Sequence, residues 1–381
     1  MTRADNPVGY FVHHQGRGHA ERAASIANLL IEKRAVTIFS ARSDIFPALD
    51  PRIDLIVLPS LFEQAEGHEP NAMGAHETPD TMHCAPLGWE SISSAIATIT
   101  GWFDAAKPSL FITDVSAELG QLARIASVPH IAVLQHGERD DPGHLASYQA
   151  AVGLLAPYAV SLEQSDRPAW MKEKTHYAGG IGIDPSVLCA KEVARARLGI
   201  AAEIDLVVVI GGGGGSGLPS APLTLGARDE PRSTWVTLGK MQSEWHETTP
   251  ENLTHLGWVE NAHDWISAAD RVVSSCGNTT AHLVACAARP WVVVPEWRYF
   301  AEQACKAEAL DQAGVAAVAS AWPASVQKWR RLWAAAKCLD PETQKKLIDP
   351  GAAKHTAEWI DGTINQIWSA PVNAIQKVRA A

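Results

Sequence analysis

Two short stretches far apart in the chain carry residue types that can do chemistry. The first is His13-His14-Gln15-Gly16-Arg17-Gly18-His19. It follows an apolar run at 8–13 and precedes Ala23, Ile26, Ala27, Leu30 and Ile31 at helical spacing. A strand-to-helix turn of this kind puts Gly16 and Gly18 where a Cβ would obstruct the chain or a ligand. His19 falls at the helix start, where the positive end of the dipole disfavours an added proton and leaves a neutral base. The second stretch is Cys276-Gly277-Asn278-Thr279-Thr280, which ends the β-branched run 271–275 and opens the Ala-rich segment 281–288. Turn chemistry followed by Thr279 and Thr280 as N-cap-type residues presents free N–H groups, hydroxyls and a positive dipole end, which together suit a phosphate.

Other residues fall into place around these two. Five consecutive glycines, 211–215, follow the apolar run 205–210. Gly211, Gly212 and Gly213 there let backbone N–H groups approach a diphosphate, with a plain flexible loop as the alternative. No Lys or Thr follows in P-loop spacing, so the run is not a Walker motif, and the first glycine turn lacks the GxGxxG of dinucleotide binding. Glu302-Gln303 come after the run 291–295 and a loop through Trp297, Arg298 and Tyr299. In a doubly wound sheet, loops leaving the carboxyl ends of neighbouring strands line one crevice. A phosphate turn beside an acid–amide pair therefore suits a nucleotide carrying a hydroxylated group. Asp114 ends the run 109–113, where it either faces that crevice or caps the following helix with Ser116. Gln135-His136-Gly137 ends the next strand and also has access to the crevice.

The elements that must position these residues alternate. Strands are expected at 8–13, 36–40, 53–58, 109–113 and 130–134, with helices at 20–33, 90–100 and 117–126. The pattern restarts at 205–210 and runs through 235–238, 254–256, 271–275 and 291–295. This is an α/β chain with two Rossmann-like units. The stretch 59–89 reads as a long solvated loop with His68, His76 and His83, whose spacing fits no metal-ligand pattern. A terminal helix is expected over 352–370, with Trp359 and Trp368 as core anchors.

The chain has 381 residues, 46% of them hydrophobic and 19% charged, enough for two buried cores. A net charge of −10 without a basic stripe argues against a nucleic-acid partner. Six scattered cysteines with no CxxC pair argue against a zinc or disulfide framework. The start has no apolar signal-like stretch and no run approaches membrane-spanning length, so a cytoplasmic location is expected.

The order GW (257–258), SCGNTT (275–280), a proline (295), EQ (302–303) and KAxxLxxxG (306–314) resembles the donor-binding signature of GT-B glycosyltransferases. The MurG-like enzymes and the plant and macrolide UDP-glycosyltransferases are the nearest groups. The resemblance implies two facing Rossmann-like domains: an acceptor-binding one over 1–174, a donor-binding one over 175–351, and a tail, 352–381, whose helix packs back on the first. It implies a nucleotide-sugar donor, UDP-linked by expectation, a small-molecule hydroxyl or amine acceptor, inversion, and no metal or other cofactor. His19 would be the base toward an acceptor held near Gly16, Arg17 and Gly18, with Asp114 orienting it. Trp258 or Val259 would hold the nucleotide base. Gly277, Asn278, Thr279 and Thr280 would grip the diphosphate, Glu302 and Gln303 the sugar hydroxyls, and Arg298 would add charge. The sequence departs from the family at Ser275, where relatives carry His, and at His282 or Leu283, where they carry a ribose-binding Glu. A nucleotide-sugar 2-epimerase of the same fold and a non-catalytic sugar-nucleotide-binding subunit are the alternatives.

Overall fold

The computed structural model describes residues 3–63, 72–212, 215, 217–242 and 248–369. Thirteen strands are found among them: β1 Val8–Val12, β2 Val36–Ser40, β3 Asp54–Val57, β4 Leu110–Asp114, β5 His130–Val133, β6 Gly153–Ala156, β7 Thr175–Tyr177, β8 Asp205–Ile210, β9 Ser233–Leu238, β10 Leu253–His255, β11 Arg271–Ser274, β12 Trp291–Val293 and β13 Ala317–Val318. The helices are α1 Arg17–Leu30, α2 Glu90–Ala106, α3 Ala117–Ile125, α4 Pro142–Ala150, α5 Ala169–Glu173, α6 Lys191–Leu198, α7 Ser220–Asp229, α8 Ala262–Ala268, α9 Asn278–Ala287, α10 Glu302–Gln312, α11 Val326–Lys337, α12 Pro341–Lys345 and α13 Ala352–Ser369.

The strands form two sheets, ordered β3-β2-β1-β4-β5-β6-β7 and β10-β9-β8-β11-β12-β13. All neighbours run parallel. Their central strands β1, β4 and β11 are buried along their whole length, and β8 is buried after its first residue. Continuous apolar runs rather than alternating ones are what a sheet covered by helices on both faces requires. Strand order reverses between β1 and β4 in the first sheet and between β8 and β11 in the second. The loops that leave the carboxyl ends of those four strands carry the His19 turn, Asp114, the glycine run and the Asn278 turn. Each doubly wound sheet binds at its switch point, so the topology collects these residues in two crevices.

One boundary changes and the tail helix falls where it is expected. Residues 175–177 pair with β6, with Leu154 opposite Thr175 and Ala156 opposite Tyr177. The first sheet therefore runs past 174, because backbone pairing with a distant strand decides membership. The link follows, through Gly179, Gly180 and Gly182 at φ of 67°, 96° and 93°. The tail helix is continuous through Gly362 to Ser369. Its Ile360 and Ile364 join the first core beside Ile26, Ala27 and Leu30 of α1. Trp359 stacks on His176 at 4.7 Å, and Trp368 Nε1 donates to the Ser109 carbonyl at 2.9 Å.

Candidate active site between two switch points

On the first sheet, Gly16 at φ 93° turns the chain out of β1, and His19 lies in the first turn of α1. Val12 and Asp114 are register partners on β1 and β4. That adjacency brings the turn and the carboxylate together, and His19 Nδ1 lies 2.9 Å from Asp114 Oδ1. One helical turn after His19, Arg22 donates from Nε to Asp114 Oδ2 at 2.9 Å and from Nη2 to Oδ1 at 2.7 Å. Asp114 and Arg22 are 0% and 1% exposed. Burial alone would push the Asp114 carboxyl up, but Arg22 and His19 outweigh it and hold the carboxyl well below the usual carboxylate range. An ionised Asp114 only accepts, so the tautomer it favours carries the proton on Nδ1, where Arg22 Nη2 also lies at 3.0 Å, and leaves the Nε2 lone pair for a substrate. Ser116, not Asp114, caps α3, accepting from Leu119 N–H at 3.3 Å.

His13 plays a different part. Burial first, and then the neighbouring His19 and His14, lower it to about 3, so it stays neutral. It accepts from the Gln15 N–H at 3.0 Å and stacks on Phe62 at 4.3 Å.

On the second sheet, α9 begins at Asn278 with Gly277 as N-cap and no side-chain cap. The threonines are therefore not the caps their position suggests. The Thr279 hydroxyl donates instead to Glu21 Oε2 of α1 at 2.9 Å, while Thr280 lies half-buried in the first turn. Asn278 accepts from Lys306 at Oδ1 and donates from Nδ2 to Gln135 Oε1 at 3.3 Å. Gln303 is buried, and its Oε1 accepts from the Cys276 N–H at 3.1 Å and the Glu296 N–H at 2.9 Å. Its carbonyl oxygen ties two crevice loops together, which leaves the Nε2 amide for the sugar hydroxyl that the resemblance assigns to Gln303. Glu302 opens α10, half-buried, with Arg139 Nη2 at 3.4 Å from its Oε2. Arg298 pairs with Glu296 Oε2 at 2.8 Å.

Glu296 also reaches the glycine run. The Gly212 N–H donates to its Oε1 at 3.4 Å, and a Cβ on Gly215 would fall 2.3 Å from its Oε2. Gly211 ends the apolar strand with its N–H bonded to the Leu238 carbonyl at 2.9 Å. Gly213 lies outside the described residues. Trp258 is 65% exposed, while Val259 is half-buried against the second core. His282, in place of a ribose carboxylate, is fully buried with both ring nitrogens unpartnered, so it does not present itself to a ribose.

The two crevices face each other. A Cβ on Gly18 would lie 3.3 Å from Thr279 Oγ1, which puts the start of α1 against the start of α9. Gly137 at φ 123° sits under Phe300, whose carbonyl accepts from the Glu138 N–H at 2.7 Å. Arg22, Glu21 and Glu296 escape a reading by motif, and Lys306 opens the KAxxLxxxG element without a role assigned to it. Arg22 alone leaves a trace, at i+3 from His19 on a helix face otherwise apolar.

The stretch 59–89 is not a freely solvated loop where it is described. The His83 and Cys84 N–H groups donate to Glu118 Oε1 at 2.9 and 2.6 Å, which pins it to α3. It closes a cavity of about 160 Å³ lined by Leu61, Phe62, Met82, Ile92, Leu119 and Leu122, with little polar surface. Phe62 links this cavity to His13, whose ring is 5.6 Å from that of His19. His68 lies outside the described residues, but His83 meets Asp141 and His144, with ligand-type atoms all within 4.8 Å. Sequence spacing shows no such set, because the three come from two distant segments. A hydrogen-bond chain accounts for two of them, Arg139 Nη1 to His144 Nε2 at 3.3 Å and His144 Nδ1 to Asp141 Oδ2 at 2.5 Å.

No protein-family model and no curated protein matches this sequence. Solved structures do match along nearly the whole chain. MurG of Acinetobacter baumannii superposes with a TM-score of 0.63 at 16% identity, covering 94% of this chain and 99% of that one. A UDP-glucosyltransferase of Polygonum tinctorium that glucosylates indoxyl, in complex with 3,4-dichloroaniline, gives 0.63 at 11%, covering 94% and 98%. The UDP-GlcNAc 2-epimerase of Neisseria meningitidis gives 0.54 at 13%, covering 93% and 99%. The two switch-point sheets and the returning C-terminal helix are those of the GT-B glycosyltransferase fold, and this chain has that fold.

Proposed function

We propose that the protein is an inverting glycosyltransferase that moves a sugar from a nucleoside diphosphate, UDP by preference, to a hydroxyl or amine of a largely apolar small molecule. The observation that carries this reading is the His19–Asp114 pair set opposite the start of α9. Its domain roles follow. The first sheet and its apolar cavity take the acceptor, and the second takes the donor, with Trp258 and Val259 near the base and Glu302 near the sugar.

In the proposed reaction the acceptor oxygen or nitrogen attacks the anomeric carbon and gives its proton to His19 Nε2. The electron pair of the breaking C–O bond leaves on the diphosphate. Asp114 fixes the imidazole tautomer and stabilises the imidazolium once formed. The N–H groups and dipole at the start of α9 meet the charge growing on the leaving group. Departure without a metal is part of this proposal, and chelation with EDTA is expected to leave the rate unchanged.

The epimerase alternative needs spare acid–base carboxylates in the cleft. The acids found there are engaged: Asp114 with Arg22, Glu296 with Arg298, Glu302 with Arg139 and Glu21 with Thr279. That favours transfer. A thermal-shift screen with UDP, TDP, GDP, ADP and NAD, with Thr280→Val as control, tests the donor site. Stabilisation by one nucleoside diphosphate is expected, and no response to any would remove the donor-site argument. Consumption of UDP-GlcNAc with no acceptor present would favour the epimerase.

A further inference from the structure

Lys306 is 2% exposed, deep on α10. Its ammonium has one hydrogen-bond partner, the Asn278 amide oxygen, and no ion pair among the described residues. The charged and titratable groups around it come from every packed element. Arg22 projects from α1, His282 from α9, Cys276 from the end of β11, His136 from the loop after β5, and Glu302 lies on its own helix. Arg22 is committed to Asp114 and Glu302 to Arg139. His282, also buried, has two ring nitrogens without a hydrogen-bond partner among the described residues. An ammonium taken out of water without a counter-charge is strongly disfavoured, and buried perturbed charges of this kind cluster at functional sites.

Position says what the missing charge is. Asn278 is the first residue of α9, where N–H groups and the dipole already favour an anion. By holding Oδ1, Lys306 turns the Asn278 NH2 outward toward Gln135 and the cleft. We propose that Lys306 is a positioning residue, a buried cation left without a counter-ion so that the donor diphosphate supplies the negative charge, with the Asn278 amide as the contact between them. This rests on the donor-site reading above and goes beyond it, because it assigns the site's fixed positive charge to a residue outside the phosphate turn. Lys306 keeps its proton throughout. It lowers the energy of the diphosphate as the C–O bond breaks and passes nothing to it.

The surroundings make the charge testable by pH. Burial lowers the Lys306 ammonium to about 8, against the raising influence of Cys276 and Glu302. The neighbours do not titrate with it. Burial raises the Cys276 thiol to about 12, His136 is lowered to about 3, and burial lowers His282 well below the usual imidazole range. The phosphates of a nucleoside diphosphate are fully ionised above about pH 7.5, the last proton leaving near 6, while uracil, thymine and guanine lose a ring N–H proton in alkali and adenine does not.

The experiment is calorimetric titration of the full chain with UDP, TDP, GDP and ADP at pH 7.5 and 9.5. It compares wild type, Lys306→Met and Lys306→Gln, with melting curves of each unliganded protein. The expected result is at least about a 10-fold weaker diphosphate at pH 7.5 in both variants. Between pH 7.5 and 9.5 wild-type affinity should fall by a similar factor beyond any fall the variants show, and with ADP, whose base does not titrate there, the variants should show none. Lys306→Met should melt no lower than wild type without ligand, since it removes an unpaired buried charge. Lys306→Gln keeps a donor for Asn278 without the charge, so wild-type affinity in it would overturn the inference. A lowered unliganded melting point with unchanged affinity in Lys306→Met would reduce Lys306 to packing and overturn it too. A wild type that binds none of the diphosphates at either pH would remove the donor site itself, and this inference with it.

Discussion

The two sides of the cleft handle buried charge in opposite ways. At the carboxyl ends of β1 and β4, Asp114, Arg22 and His19 form a closed set in which each charge or ring nitrogen inside the fold has its partner. At the ends of β11 and β12, Lys306 and His282 are just as buried, yet among the described residues one cation leans on a single amide and one imidazole has no hydrogen-bond partner. A closed set is finished before substrate arrives and presents one free Nε2. An open set is finished only by a ligand. On the proposed reading, the difference separates machinery that orients a base from a pocket that an anion completes.

The largest expected effect is on the closed side. Replacing His19 with Ala removes the proton acceptor and should lower kcat by about 10²–10⁴-fold. Donor affinity by calorimetry should stay within about twofold, because the diphosphate contacts are on the other sheet. An unchanged rate would end the assignment of His19 as base.

Next is Arg22→Met. It leaves the Asp114 carboxylate buried with His19 as its remaining partner, and breaking such a pair costs about 3–5 kcal/mol. Urea unfolding should show a loss of that size, in contrast to Lys306→Met, which should show none. Equal losses in both variants would erase the distinction between closed and open sets.

Acid and alkali titrations sharpen the same contrast through opposite signs. The Asp114 carboxyl is depressed in the fold, so its contribution is present above the unfolded value near 3.9 and is lost as pH falls below it. Lys306 is a depressed base with an unfolded value near 10.4, so the unfolded chain holds the extra proton between about 8 and 10.4. Across that window this group makes the fold more stable as pH rises. Urea midpoints followed in wild type and Lys306→Met should separate there and run parallel near pH 7.

The layout of these sets was largely legible in sequence. Apolar runs ended by Gly, Asn or Asp located the strands and switch-point loops; the sequence placed His19 at a helix start and Asp114 at a strand end, and the resemblance implied their roles. What escaped was decided across space. Arg22 belongs to no motif and Lys306 only opens the KAxxLxxxG element, and it is the fold that buries both. Gln303 matched a motif, yet two backbone N–H groups from different loops claim its oxygen. Gly277 took the N-cap because the Thr279 hydroxyl finds Glu21 in the other domain. The strand at 175–177 joined the first sheet through a partner about 20 residues away in sequence.

The seam between the two sets offers the smallest effect and the most local test. Phe300 and Ala301 both adopt left-handed backbone, at φ 60° and 50°, immediately before Glu302. A left-handed non-glycine residue costs about 1–2 kcal/mol, and two in succession persist only where their surroundings hold them. Phe300 is held by its carbonyl on Glu138 and its ring under the Arg139 guanidinium at 4.5 Å, and these contacts join the second domain to the first. Ala301→Gly relaxes one of the two strained residues without touching either contact. It should therefore stabilise the unliganded protein by up to about 1 kcal/mol, offset in part by the greater freedom of glycine in the unfolded chain. If the strain instead keeps Glu302 where the sugar binds, the same variant should raise KM for the donor while kcat at saturation and His19 chemistry stay as they were. A fall in kcat with unchanged KM would place the seam with the closed set instead, as part of the apparatus that orients the base.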